Sequence, residues 1–177
     1  LVRQHGKAAD PAGQSISAAL IAPHLLLPEW ALDGLRLIAQ SIVQLRTSSE
    51  KMRLIFHLSR LLIEVGPGEA TVSVFERLAK AAEEVSEVGL RARAFADLGV
   101  SLFRIREYVR SNNLISQAAA LAFQVEDRAD KASTLAFVAG SVAQTGHSSR
   151  ARDLAFNSIQ VSEAPLEHQD QQCRSYL

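Results

Sequence analysis

Apolar residues recur along most of this chain in alternating steps of three and four, the spacing of one helix face. From Pro28 to about Arg46 the series is Ala31, Leu35, Ile38, Ile42 and Leu45. Met52, Ile55, Leu58, Leu61 and Leu62 carry the next helix to Val65. Val72, Phe75, Leu78, Ala79 and Ala82 predict a helix over about 69–86. Further helices are predicted over 90–105, 108–125, 128–145 and 148–162, and an earlier one over 15–26. The punctuation agrees with the periodicity. Pro28 suits a first helical turn, and Thr47-Ser48-Ser49-Glu50 fits a capping box. Gly66-Pro67-Gly68 is a break, Asp127 a cap and Gly146 a helix stop. Pro165 ends the periodic region.

Eight helices joined by short links predict four antiparallel hairpins, near 14–46, 48–87, 90–125 and 128–163. The hairpins repeat. The stretch 91–102 aligns with 131–142, placing Ala92 on Ala132, Phe95 on Leu135, Leu98 on Val138, Gly99 on Ala139 and Leu102 on Val142. A period near 40 residues with helical spacing inside each copy predicts an all-α fold. Its expected architecture is an α-α superhelix, or solenoid, whose single hairpins bury their apolar stripes only by stacking. Residues 14–165 form the expected repeat domain. Residues 1–13 read as a disordered tail or linker, and 166–177 as a polar tail or cap.

The packing residues resemble tetratricopeptide (TPR) repeats. Leu135, Val138-Ala139, Val142, Gly146, Ala151 and Ala155 match that pattern best. Ile55, Leu58-Ser59, Leu62, Gly66 and Phe75 match in the second hairpin, and Phe95, Leu98-Gly99 and Leu102 in the third. Arg106 stands where the turn glycine is expected. The resemblance covers 48–163 well and 14–46 poorly, and the period exceeds the usual 34 residues. It implies a right-handed superhelix in which the first helix of each hairpin lines a concave groove.

By that resemblance the groove residues are Arg53, Phe56, His57 and Arg60 in the second hairpin. In the third they are Arg93, Asp97, Val100 and Arg104, and in the fourth Ser133, Phe137, Gly140 and Gln144. The set holds four arginines and one acid, which suits an acidic or amphipathic partner segment. Phe56 and Phe137 are apolar anchors in this reading. The competing reading puts the arginines in intra- or inter-helix salt bridges at a solvated face, for example with Glu64 or Asp97, and the phenylalanines in the core. Some proteins of the family clamp a terminal carboxylate with lysines and asparagines; that pattern is missing here.

Composition narrows the function classes. The 19 basic and 19 acidic residues cancel, which argues against general nucleic-acid or membrane-surface binding. No apolar run reaches the roughly 18 residues of a membrane span. The five histidines show no metal-ligand spacing, and Cys173 is alone. Gly66-Pro67-Gly68 is followed by no Lys-Ser/Thr pair, so it is a turn and not a phosphate loop. The expectation is a non-enzymatic scaffold or adaptor, without cofactor or metal, that binds a protein or peptide. Self-association through solenoid ends and a cytoplasmic setting belong to the same expectation. The alternative is a regulatory or sensor domain of a larger protein, binding a peptide or small-molecule signal.

Overall fold

A computed structural model describes residues 29–163. Among them are seven α-helices and no strand: α1 (Glu29–Ser41), α2 (Ser48–Val65), α3 (Glu69–Glu83), α4 (Val88–Arg104), α5 (Tyr108–Gln124), α6 (Arg128–Gln144) and α7 (Ser148–Glu163). A short 3-10 turn, Ile42–Gln44, follows α1. The predicted helix over 15–26 and both tails lie outside the described residues.

The helices start and stop for local chemical reasons. Thr47 accepts the Glu50 N–H at 3.2 Å and Asp127 accepts the Asp130 N–H at 2.7 Å, so α2 and α6 begin on side-chain caps. Only half of the predicted capping box forms. The Glu50 carboxylate accepts from the Thr47 hydroxyl at 2.9 Å, not from the Thr47 N–H. Glu87 holds the equivalent place before α4 and makes no side-chain cap.

Three turns stand 40 residues apart, at Gly66, Arg106 and Gly146, and all three have positive φ, +86°, +68° and +82°. At Arg106 and Gly146 the chain closes alike. The N–H of Glu107 reaches Leu102 O, and that of His147 reaches Val142 O. Pro67 occupies the matching place after Gly66 and has no N–H to donate, so Gly66 itself bonds to Leu62 O and Ile63 O. Arg106 thus adopts the left-handed conformation that its glycine counterparts adopt at lower cost.

Boundaries differ from the expectation by a few residues. The first described helix stops at Ser41, whose hydroxyl bonds Ile38 O at 2.8 Å, and the chain tightens to a 3-10 turn before Leu45 extends. The helix α3 stops at Glu83, because Val85 turns inward and is buried. The helix α4 starts at Val88, two residues earlier than predicted.

Consecutive helices pack as the pairs α2–α3, α4–α5 and α6–α7. Across the pairs, α2 packs on α4 and α4 on α6, while α3 meets α4 and α5 meets α6. The helix α1 packs mainly on α3. Each of α2, α4 and α6 therefore touches its own hairpin partner and a counterpart in a neighbouring pair, an arrangement compatible with a helical repeat.

The core runs through all of them at matched positions. Leu58, Leu98 and Val138 are fully buried, as are Leu62 and Val142, with Leu102 nearly so. Burying each such side chain contributes about 1.5–3 kcal/mol of transfer free energy. Gly99 is a close approach between α4 and α5. A Cβ there would lie 2.7 Å from Ile115 Cγ1 and 3.3 Å from the Ser111 carbonyl oxygen. The close contact lets the buried Ser111 hydroxyl donate to Gly99 O at 2.7 Å.

Candidate functional site

The apolar face of α2, α4 and α6 points into the hairpins, so their adjoining positions share another side. Those positions meet in a concavity of about 440 Å³. Phe56, Arg60 and Ile63 line it from α2. Asp97, Val100, Ser101 and Arg104 line it from α4, the middle helix. Ala136, Phe137, Gly140, Ser141 and Gln144 complete it from α6. Its size is that of an ordinary ligand cleft.

Eight of the twelve residues expected in a groove lie here: Phe56, Arg60, Asp97, Val100, Arg104, Phe137, Gly140 and Gln144. Arg53, His57, Arg93 and Ser133 do not line it. The sequence reading missed Ile63, Ser101, Ala136 and Ser141. These stand one turn from expected members, or beside them. A helical face is wider than a strict three-four ladder, and the small serines and alanine gave no chemical signal.

The two phenylalanines are not core residues. Phe56 is half-buried and Phe137 is 39% exposed. The Arg60 guanidinium lies over the Phe56 ring, 5.7 Å from its centroid, in cation-π geometry. His57 meets the same ring edge-on at 5.8 Å. Arg104 donates to Gln144 Oε1 at 3.3 Å, linking α4 to α6 across the concavity.

Asp97 is the acid of the site. Its Oδ2 accepts the hydroxyl of buried Ser59 at 2.8 Å, joining α4 to α2. Burial pushes its carboxyl above the ordinary carboxylate range. The Ser59 hydrogen bond and the charges of Arg60 and Arg104 oppose that rise without cancelling it.

Arg93 is spent elsewhere. It donates to Asp130 Oδ1 at 2.8 Å, to Ser133 Oγ at 3.1 Å and to Thr134 Oγ1 at 3.1 Å. The ion-pair reading of the arginines therefore describes Arg93, although its acid is Asp130 and neither Glu64 nor Asp97. Ser133 serves as one of its acceptors. Arg53 is exposed and has no carboxylate within 4.0 Å among the described residues.

A second concavity of about 590 Å³ lies between α1 and α3, lined by Gln40, Val43, Gln44, Ser73, Glu76, Arg77 and Lys80. It has no aromatic wall. Among the described residues no group of three His, Cys, Asp or Glu side chains is placed to hold a metal ion. No described helix is long and apolar enough to cross a membrane. No family model, curated protein or solved structure matches the chain.

Proposed function

We propose that this chain is a TPR-like helical-repeat scaffold, a right-handed superhelix of hairpins that recruits a protein or peptide segment into its concave groove. One observation carries the reading. Three helices that occupy the same place in successive hairpins converge on one concavity, through residues at matching positions in the 40-residue repeat. Partly exposed aromatic side chains on its two outer helices, with guanidinium groups that have no carboxylate within 4.0 Å among the described residues, have the make-up of interface anchors. Small residues at Gly140, Ser141 and Ala136 leave room on the wall of α6 for a partner's backbone or side chain. The groups in the cleft bind and orient; the reading assigns them no covalent chemistry.

Site-specific photo-cross-linking tests it. A benzophenone side chain is placed at Phe137 in the groove, or at Val109, which is 86% exposed and outside it. A partner from the source cells should be captured from position 137 and not from 109. Capture at 137 should vanish in Gly140→Trp. A Cβ at Gly140 meets nothing within 4 Å, so the indole fills the groove and leaves the core intact. Capture from 109 alone, or capture at 137 indifferent to the indole, overturns the reading.

A further inference from the structure

The charged lining of the groove is Arg60, Asp97 and Arg104. Both guanidinium groups act on the Asp97 carboxylate, yet neither lies within 4.0 Å of any carboxylate among the described residues. Arg60 rests on an aromatic face and Arg104 reaches only an amide oxygen. Each fork offers five N–H donors, so most of that capacity is unused. One oxygen of Asp97 is held by Ser59, which fixes the carboxylate on the floor between α2 and α4. Two cations around one fixed anion leave the site with a net charge of about +1.

We propose that the groove takes an acidic segment of a partner protein, one carboxylate of which bridges Arg60 and Arg104, and that Asp97 sets the site to prefer a single carboxylate over a phosphoryl group. The proposal rests on the groove reading above. A carboxylate brings one negative charge and matches the planar guanidinium fork. It neutralises the triad. A phosphoryl group brings a charge of about −1.5 to −2 and meets the fixed charge of Asp97 uncompensated. An apolar side chain next to the carboxylate then seats against Phe56 and Phe137. A basic segment is repelled by both guanidinium groups.

The test uses the full chain and three pools of synthetic dodecapeptides with the same randomised apolar positions. The pools differ only in carrying Asp and Glu, Asn and Gln, or phosphoserine at the remaining positions. Binding is read by fluorescence anisotropy, with helical content of every variant checked by circular dichroism. The acidic pool should bind tightest to the wild type. Arg60→Gln and Arg104→Gln should each weaken it about tenfold, as loss of a charge-assisted pair does, and leave the amide pool unchanged. Asp97→Asn should tighten the phosphoserine pool about tenfold and bring it level with or above the acidic pool. Equal binding of acidic and amide pools by the wild type, a preference for phosphoserine, or indifference to both arginine variants overturns the proposal. So does failure of all three pools. None of these outcomes touches the groove reading, which stands or falls on Gly140→Trp. Pools that bind alike and are all displaced by the indole sink the charge assignment alone.

Discussion

Arg53 and Arg93 stand at the same place on α2 and α4, 40 residues apart, and meet opposite fates. Arg93 faces Asp130, Ser133 and Thr134 on α6 and binds all three. Subtracting 40 from each acceptor gives the equivalent positions on α4: Leu90, Arg93 and Ala94. Nothing there accepts a hydrogen bond from a side chain. The α2–α4 contact instead carries its polar link at the other end of the groove side, from Ser59 to Asp97. The counterparts of that pair across α4 and α6 are Gly99 and Phe137, which are apolar. The two contacts share an apolar frame and differ in which positions carry polar bonds: Arg93 with Asp130, Ser133 and Thr134, and Arg104 with Gln144, in one, and Ser59 with Asp97 in the other. That difference decides which charged residues are consumed in holding helices together and which remain for a ligand.

The largest expected effect breaks the α4–α6 link. Arg93→Ala should cost about 2 kcal/mol in urea unfolding, because a side chain only 23% exposed loses several hydrogen bonds and leaves Asp130 without its ion-pair partner. Asp130 is itself 46% exposed, which keeps the figure below that of a buried pair. Arg53→Ala should change stability by no more than about 0.5 kcal/mol. Equal effects at the two positions would remove the distinction.

Next in size is the α2–α4 link. Ser59→Ala strips a half-buried carboxylate of its hydrogen bond and should cost about 1–2 kcal/mol at neutral pH. Its pH dependence is diagnostic. Burial, the largest influence, raises the Asp97 carboxyl above its unfolded value, against the Ser59 hydrogen bond and the charges of Arg60 and Arg104. The folded state therefore binds this proton more tightly than the unfolded chain. The Asp97 contribution to stability is fully present below the ordinary carboxylate value and is lost as pH rises through the raised one. Wild type should accordingly gain on Asp97→Asn as pH falls through that window. A stability difference that stays constant across it would contradict the burial argument.

The frame was legible in the sequence and the polar links largely were not. Helices α2 to α7 follow from apolar periodicity, because Leu58, Leu98 and Val138 must all be buried whatever surrounds them. The groove set comes from the family resemblance, applied to positions beside the periodic packing residues, and Phe56, Val100 and Phe137 of that set line the concavity. Arginine has no such compulsion. Within its own helix Arg93 looks like Arg53, and its acceptors lie 37 to 41 residues further on. Only a position-by-position comparison of the copies shows Asp130 where the earlier copy has Leu90. The Asp97 bond is hidden for the same reason, since in the repeat pattern Ser59 is only the small member of the Leu58-Ser59 packing pair.

The hairpin turns give a smaller effect. Arg106→Gly should stabilise the chain by about 1 kcal/mol, because it relieves the left-handed conformation that Gly66 and Gly146 hold without a Cβ. A thermal midpoint raised by a few degrees would agree. No change, or a loss, would mean that the Arg106 side chain offsets its own backbone cost.

The smallest and sharpest effect comes from building the missing link. Leu90→Asp places a carboxylate at the position of Asp130, one repeat earlier. Asp130 has room only because its neighbour on α4 is Gly89, where a Cβ would collide with the Asp130 carboxylate. The counterpart of Gly89 on α2 is Ser49, so the graft needs Ser49→Gly as well. The loss of partly buried Leu90 and of a serine from the first turn of α2 will offset much of the gain, and net stability should stay near that of wild type. The informative quantity is the coupling between Arg53 and the introduced carboxylate, read from a double-mutant cycle with Arg53→Ala in both backgrounds. It should be about 0.5–1 kcal/mol and fall with added salt. A coupling of zero would show that Arg93 is held by Ser133 and Thr134 more than by Asp130, and that placing the acid alone does not decide the fate of the arginine.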